Sequence, residues 1–320
     1  MDRQQRAGNS RISHTTQDAQ ERFDALAADL RQQVEHRLAE LFPEHSSTSH
    51  GLRAAIAHGL MSPGKRLRPL ITLLACRQCG GDPAEALDGA CAVEMMHAAS
   101  LIIDDLPCMD DASLRRNCVA THVAYGEGVS ILAAITLVND AYRIIAQMER
   151  IDPRERILIT EKLSMAIGLE GLAGGQERDL ARHGDAPQGG MREIEQSHME
   201  KTGALFAAAA GIGAVIAGAR AVEIEAMEKY GGALGLAYQT FDDVIDSECD
   251  ETQTGKDAGK DQNRTTVVTL MGAHRANKSA AQWIEDAIAE SARVDCGAGA
   301  PLSSLARAIE AKFNALTQKS

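Results

Sequence analysis

Aromatic residues are scarce in this sequence. Phe, Tyr and Trp make up 3% of the chain, whereas the whole hydrophobic set makes up 44%. Strands are enriched in aromatic and β-branched residues, and no stretch of useful length alternates between apolar and polar positions. Apolar segments rich in Ala and Gly favour closely packed helices instead. We therefore expect an all-α fold, with about a dozen helices in a single domain.

The chain also lacks net positive charge, a long hydrophobic run and an even number of cysteines. A formal net charge of −12 argues against general binding to nucleic acids or anionic membranes. The longest apolar runs, 129–138 and 204–219, are shorter than the ~18 residues that indicate a transmembrane helix. Seven cysteines with no visible secretory signal indicate reduced thiols, so we expect a cytoplasmic protein without a transmembrane segment.

The N-terminal segment, residues 1–16, is polar and irregular, and we expect it to be disordered. Over 17–41 apolar residues recur at intervals of three and four, which predicts an amphipathic helix. Residues 17–320 are predicted to form the single domain.

Four aspartates crowd together directly after an apolar helix. Asp104 and Asp105 would lie at the C-terminal end of that helix, because Pro107 prevents its continuation. The helix dipole disfavours anions at that end, and Asp110 and Asp111 add like charge nearby. Oxygen ligands without a flanking histidine suit Mg²⁺. The alternative interpretation is a solvated acidic turn.

A second acidic cluster, Asp242, Asp243 and Asp246, also follows an apolar run. Asp242 and Asp246 are four residues apart and so lie on one helix face. If the two apolar helices face each other, both clusters share the mouth of one apolar cavity. Bridging metal ions could then grip a diphosphate while a hydrocarbon tail descends between the helices.

Basic residues supply a second candidate anion site. Lys65, Arg66 and Arg68 stand at a loop-to-helix junction, where cationic side chains and free backbone N–H groups bind phosphate well. His97 precedes Asp104 by about two helical turns and lies roughly on the same face; the alternative is a core histidine. Two diphosphate sites with hydrocarbon walls imply the joining of prenyl units.

Arg115 and Arg116 follow the first acidic cluster. We interpret them as neighbours on a helix, whose side chains point to different faces. The pair would then divide two diphosphates between them.

From about residue 22 to the C-terminus the sequence resembles the trans-isoprenyl diphosphate synthases, and within them the bacterial geranylgeranyl diphosphate synthases of carotenoid pathways. The motifs that carry the resemblance occur in order: GKRLRP at 64–69, EMMH at 94–97, DDLPCMDD at 104–111, GQERD at 175–179, KTGALF at 201–206, YQTFDDVID at 238–246 and GKD at 255–257. The resemblance implies a helical bundle around a central apolar cavity, and a homodimer.

The resemblance also implies roles for the matching residues. Those implied to bind Mg²⁺ and the allylic diphosphate are Asp104, Asp105, Asp110, Asp111, Asp242, Asp243 and Asp246. Those implied to bind that diphosphate directly are Arg115, Lys201 and Lys256. Those implied to bind isopentenyl diphosphate are Lys65, Arg68, His97 and Arg116. The predicted catalytic residues are Asp104, Asp105, Asp242 and Lys201, with Thr202 and Gln239 lining a carbocation site.

The implied reaction condenses isopentenyl diphosphate with an allylic diphosphate, expected to be farnesyl diphosphate, with dimethylallyl or geranyl diphosphate as alternatives. In this family the residues about one turn before the first aspartate form part of the pocket floor. Here they are Ala99 and Ser100, both small, which implies a twenty-carbon product. The alternatives are a farnesyl or longer-chain synthase, a class I terpene cyclase, and a non-catalytic regulatory subunit. The intact acidic and basic motifs argue against the last two.

Overall fold

The computed structural model describes residues 2–42, 50–181, 190–248, 266–294, 297 and 299–317. Within these ranges the chain is helical apart from one short β-hairpin, which confirms the predicted all-α fold. The first helices are α1 (Asp2–Leu41), α2 (His50–Leu60), α3 (Leu67–Gln78), α4 (Leu87–Asp104), α5 (Thr121–Tyr125), α6 (Glu127–Ala146) and α7 (Pro153–Ile167). The others are α8 (Leu172–Ala181), α9 (Met191–His198), α10 (Ala204–Ile216), α11 (Ala221–Glu248), α12 (Val267–Met271), α13 (Ala273–Ser291) and α14 (Pro301–Thr317).

Two irregular elements interrupt the helices. A π-helical turn, Met199–Gly203, joins α9 to α10. Between α4 and α5 the strands β1 (Leu114–Arg115) and β2 (Cys118–Val119) pair antiparallel. Both elements carry residues that the sequence marked as functional.

Helix α10 lies at the centre of the bundle and consists largely of small residues. Residues 208–216 are all buried. A Cβ added at Gly213 would lie 2.1 Å from the Thr72 carbonyl oxygen of α3, and one added at Gly231 of α11 would lie 2.3 Å from the Phe206 carbonyl oxygen. Backbones approach this closely only where a side chain is missing. The small residues therefore allow α10 to pack directly against α3 and α11.

A buried glutamine ties the C-terminal helices to α3. Gln78 Nε2 donates to the carbonyls of Ser291 (2.6 Å) and Val294 (3.2 Å), and Gln78 Oε1 accepts from the backbone N–H of Leu302 (3.2 Å). The hydroxyl of Tyr230 donates to the Leu302 carbonyl at 2.9 Å. The bonds of Gln78 satisfy carbonyls at and after the end of α13 and an N–H group at the start of α14, which helix geometry leaves without partners. The bond of Tyr230 adds a second tie to the start of α14.

The start of α1 was predicted too late. The helix begins at Asp2 rather than at residue 17. Hydrophobic periodicity marks only the part of a helix that packs against a core, and the first buried side chain described on α1 is Phe23. Helical backbone hydrogen bonds do not require an apolar face, so the helix continues towards the N-terminus beyond the apolar pattern. The division of the chain into a segment 1–16 and a domain 17–320 stays a prediction.

Two helical segments are long and apolar enough, by length and composition, to cross a membrane. In Met191–Ile216, 78% of the apolar window is buried inside the bundle, as in a core helix of a soluble protein. In Glu127–Ala146, which is α6, 39% of the window is buried. The expected absence of a transmembrane segment stays a prediction, and the exposed face of α6 needs another explanation.

Candidate active site

Helix α4 ends at Asp104, and the chain turns back over the end of the helix. The backbone N–H groups of Asp110 and Ala112 donate to the carbonyls of Asp104 (2.8 Å) and Asp105 (3.2 Å). Asp111 has φ 49°, in the left-handed region that aspartate tolerates. These bonds satisfy carbonyls that the helix leaves free. They bring all four aspartates of the first cluster to one helix end, as the sequence predicted.

Asp104 and Asp105 are both buried, but their charges are compensated differently. Burial raises the pKa of Asp104 to about 6, although the nearby Lys201 acts in the opposite direction. Asp105 forms an ion pair with Arg115, whose Nε donates to Asp105 Oδ1 at 2.8 Å and whose Nη2 makes a second contact. Asp105 is therefore neutralised within the chain, whereas Asp104 offers a buried carboxylate to a further cation.

Arg115 and Arg116 lie on the β-hairpin, so their prediction as helical residues was wrong. Arg116 (φ 54°) and Asn117 (φ 61°) are both left-handed, which is the pattern of a type I′ turn. Turn chemistry rather than hydrophobic periodicity forms such a short hairpin. Arg115 ends β1 whereas Arg116 begins the turn. Their side chains take different directions: Arg115 reaches Asp105, and Arg116 reaches His97. The two arginines therefore contact different groups, and their division of two diphosphates stays a prediction.

His97 is the centre of the basic site. Its Nε2 lies 3.1 Å from Arg68 Nη1 and 3.3 Å from Arg116 Nη2. Guanidinium groups only donate hydrogen bonds, so Nε2 is the acceptor and the imidazole is neutral. Burial, together with Arg68 and Arg116, lowers the pKa of His97 well below its usual value. A neutral histidine thus holds two arginines side by side.

Two aromatic rings support the other cations of this site. The guanidinium of Arg68 lies over the Phe206 ring, 4.6 Å from its centroid. Lys65 Nζ donates to the Tyr238 hydroxyl at 2.8 Å and lies 5.0 Å from the centroid of that ring. Such contacts fix the direction of a cation without neutralising it. Burial lowers the pKa of Arg68, only to about 10, so the guanidinium remains charged at neutral pH.

Arg66, in contrast, does not face this site. Its side chain is 2% exposed, and Nη1 forms an ion pair with Glu94 at 2.7 Å. A second nitrogen, Nη2, donates to the Ser62 carbonyl at 3.1 Å. The interpretation of all three cations at this junction as phosphate ligands was therefore wrong for Arg66. Of the three cations at this junction, Lys65 and Arg68 lie at the basic site and Arg66 does not.

The second acidic cluster lies on α11, and Asp243 is held by contacts with other elements of the bundle. Its Oδ1 accepts from Gln239 Nε2 at 3.2 Å, and its Oδ2 accepts from the Val267 backbone N–H at 3.3 Å. His198 Nε2 lies 3.5 Å from the same Oδ2. Burial raises the pKa of Asp243 to about 6. Thr202 Oγ1 donates to Gln239 Oε1 at 2.9 Å, which links the predicted carbocation site to this cluster.

Lys201 connects the two acidic clusters. It lies on the π-helical turn, an irregularity that occurs frequently at functional sites. Its Nζ donates to Asp179 Oδ2 of α8 at 2.6 Å. Lys201 lowers the pKa of Asp104, and Asp179 raises that of Asp243. The cation therefore acts electrostatically on the first cluster, while its own partner acts on the second.

Ala99 and Ser100 lie on α4 about one turn before Asp104. Ala99 is buried, and Ser100 Oγ donates to the His97 carbonyl at 2.9 Å, back along its own helix. Neither side chain reaches far from the helix, and their role in the pocket floor stays a prediction. Lys256 lies outside the described residues.

Four residues at the site were not assigned from the sequence: Asp179, Gln176, Phe206 and Tyr238. The spacing of Gln176 and Asp179 (i, i+3) was a signal, since it places both on one face of α8. Gln176 is buried, and neither side-chain amide atom has a hydrogen-bond partner. The two aromatic residues gave no local signal, because their role depends on which cation packs against them.

Comparison with known proteins identifies a family. The polyprenyl synthetase model matches residues 49–296. A geranylgeranyl diphosphate synthase from Pantoea ananas is 38% identical over 274 residues, covering 85% of this chain and 86% of that protein. A chloroplastic geranylgeranyl pyrophosphate synthase from Arabidopsis thaliana is 39% identical over 268 residues, covering 82% of this chain and 74% of that protein.

Solved structures agree with the sequence comparisons. An FPP/GFPP synthase from Zymomonas mobilis superposes with a TM-score of 0.81 at 28% identity, covering 91% of this chain and 99% of that one. A geranyltransferase from Helicobacter pylori, complexed with magnesium and isoprenyl diphosphate, superposes with a TM-score of 0.75 at 25% identity, covering 92% of this chain and 96% of that one.

Proposed function

Because the chain belongs to the polyprenyl synthetase family, we propose that it is a prenyltransferase that condenses isopentenyl diphosphate head-to-tail with an allylic diphosphate to give geranylgeranyl diphosphate. The observation that carries this proposal is the presence of two separate sites with cations that could each bind a diphosphate. One is the acidic site at the end of α4, which also contains Lys201 and Arg115. The other is the basic site about two turns earlier, where Arg68 and Arg116 contact His97.

We propose that the acidic site takes Mg²⁺ together with the allylic diphosphate. The donors are carboxylate oxygens. Asp104 and Asp105 are buried, Asp243 is partly buried, and burial raises the pKa of all three. Among the described residues no three His, Cys, Asp or Glu side chains could hold a metal ion by themselves. An incomplete protein cage fits Mg²⁺, which usually keeps water and substrate phosphates as ligands. When bound, the metal supplies positive charge that stabilises the departing diphosphate.

The side chains perform the remaining steps. Lys201 and Arg115 bind the allylic diphosphate and stabilise charge that develops on it as the C–O bond breaks. The oxygens of Thr202 and Gln239, fixed by their mutual hydrogen bond, face the resulting allylic cation. Isopentenyl diphosphate, held at the basic site, presents its double bond to that cation, which is a proximity effect. The departing diphosphate then accepts the proton that is lost, so no protein base is required.

The twenty-carbon product rests on the size of Ala99 and on the relatives. Both curated relatives compared above carry geranylgeranyl in their names. The proposal takes the small side chains of Ala99 and Ser100 to permit growth of the chain past fifteen carbons. A regulatory subunit without catalysis is disfavoured, because both acidic clusters and the basic site are intact.

We also propose a homodimer that forms through α6. Among the described residues, Ile131, Leu132 and Ile135 on its outer face are 40%, 54% and 58% exposed, and the neighbouring Val123 on α5 is 56% exposed. Contiguous apolar surface of this kind usually marks an interface, and a two-fold axis lets the same face cover itself. Leu132→Glu with Ile135→Glu should convert the dimer to a monomer in analytical ultracentrifugation; a dimer that persists would refute this face.

We also propose that the protein is cytoplasmic and that its product supplies a carotenoid pathway. The described residues include five free cysteines, of which Cys108 is exposed. Exposed thiols are usual in a reducing compartment. The carotenoid assignment rests on the resemblance to the bacterial carotenoid-type synthases.

The deciding experiment incubates the folded protein with isopentenyl diphosphate, farnesyl diphosphate and Mg²⁺, followed by chromatography of the products. We expect geranylgeranyl diphosphate, and loss of the product when the metal is chelated. A folded sample that elongates no allylic primer would refute the proposed function.

A further inference from the structure

The buried ion pair between Arg66 and Glu94 has no part in the reaction described above. Both side chains are almost fully buried, at 2% and 3% exposure, and Arg66 Nη1 lies 2.7 Å from Glu94 Oε1. Burying two charges is costly, and apolar residues of similar size often serve stability as well or better. The pair therefore needs a reason other than stability.

Glu94 lies close to the arginines of the basic site. Glu94 and His97 are three residues apart on α4, so they share one face of that helix, and His97 holds Arg68 and Arg116. Burial lowers the pKa of both arginines, and the strongest opposing influence on each is the charge of Glu94. An unengaged carboxylate at this position would bind Arg68 or Arg116, since a buried charge requires a partner.

Arg66 is turned away from the basic site by its backbone. It has φ 45° and ψ 43°, a left-handed conformation at the position before α3. That conformation is uncommon for a residue with a long side chain and persists only where the surroundings favour it. The turn sends Arg66 inward to Glu94, while Lys65 and Arg68 on either side lie at the basic site.

We propose that Arg66 is a positioning residue that keeps Glu94 engaged, and thereby reserves Arg68 and Arg116 for the diphosphate of isopentenyl diphosphate. Arg66 contacts no substrate in this scheme. Its role is to remove an internal competitor from the site. The inference rests on the proposed assignment of isopentenyl diphosphate to the basic site.

Three variants test it by steady-state kinetics with each substrate varied in turn. Arg66→Gln should raise the KM for isopentenyl diphosphate at least tenfold, because Glu94 then competes for Arg68 and Arg116. The KM for farnesyl diphosphate should change less than twofold. Adding Glu94→Gln to Arg66→Gln removes the competitor and should restore most of the lost affinity. Lys162→Gln breaks the Lys162–Glu228 pair of α7 and α11 and should change neither KM, as a matched control.

Recovery of the KM for isopentenyl diphosphate in the double variant distinguishes a positioning role of Arg66 from a purely structural one. If the pair serves only the fold, the double variant is no better than Arg66→Gln, or both KM values rise together, and either result overturns the inference. If Arg66→Gln does not fold, Arg66→Met with and without Glu94→Gln gives the same comparison, because methionine fills the space without a charge that could engage Glu94. Arg68→Gln tests the assignment itself. Without a rise in the KM for isopentenyl diphosphate the proposed site fails, whereas a rise there and none in Arg66→Gln overturns only this inference.

Discussion

Replacing His97 with glutamine should remove a pH dependence from the stability of the enzyme. In the native protein burial and the two arginines hold the pKa of His97 well below its usual value, whereas an unfolded chain has a histidine pKa of about 6.5. Below that pH the unfolded state therefore binds a proton that the native state does not. Stability falls as the pH falls, and the contribution of His97 is negligible above about pH 7.5.

The size of the effect follows from linkage. At pH 5.5, one unit below the unfolded pKa, a histidine that remains neutral when folded costs about 1.4 kcal/mol. Glutamine does not titrate, and its side-chain oxygen can still accept from Arg68 and Arg116. Between pH 7.5 and 5.5 the parent protein should therefore lose about 1.4 kcal/mol more unfolding free energy than His97→Gln. His36→Gln, which changes a histidine side chain that is 77% exposed on α1, should behave like the parent.

Urea unfolding followed by circular dichroism at the two pH values provides the measurement. Equal losses in the parent and in His97→Gln would mean that the histidine is protonated in the native state. In that case it could not accept hydrogen bonds from two guanidinium groups, and the description of the basic site would be wrong.

Three further substitutions test other parts of the structure. Ala99→Phe should raise the ratio of fifteen-carbon to twenty-carbon product by a factor of about ten or more, because overpacking beside the growing chain costs about 1–3 kcal/mol. An unchanged product profile would refute the assignment of Ala99 to the pocket floor. Gln78→Ala should lower the unfolding free energy by about 3 kcal/mol, since three buried hydrogen bonds of about 1 kcal/mol each are lost. A loss of unfolding free energy below about 1 kcal/mol, measured by urea unfolding, would contradict the role of Gln78 in tying α3 to the C-terminal helices. Gln176→Met should raise the unfolding free energy by about 1–3 kcal/mol by removing an unpaired buried amide and should reduce kcat; a less stable variant would show that the amide is satisfied.

The sequence predicted the all-α fold and the end of α4 correctly, because both depend on local chemistry. A proline after an apolar run, followed by aspartates, sets the end of a helix wherever that helix packs. The direction of Arg66 could not be predicted in this way. Three neighbouring cations look alike in sequence, and only the position of Glu94 on another helix decides which of them turns inward.

The backbone of the hairpin at Arg115 and Arg116 could not be predicted from the sequence either. Two-residue strands are too short to show a period of two, so hydrophobic patterning does not detect them. Their turn depends on left-handed residues at Arg116 and Asn117, and arginine gives no signal for that conformation. Contacts of Arg115 with Asp105 and of Arg116 with His97 hold the turn in place. The sequence predicted that the two side chains take different directions, but it did not predict the backbone that separates them.

In the proposed reaction, helix α4 contributes to both substrate sites. Glu94, His97, Ala99 and Asp104 follow one another along α4, and at 1.5 Å per residue His97 and Asp104 are about 10 Å apart along its axis. In the proposed reaction each anion site includes one of these two residues, so α4 contributes to the distance between the two diphosphates. Ala99 lies between them, so the proposal assigns to one helix a part in aligning both substrates and in bordering the growing chain.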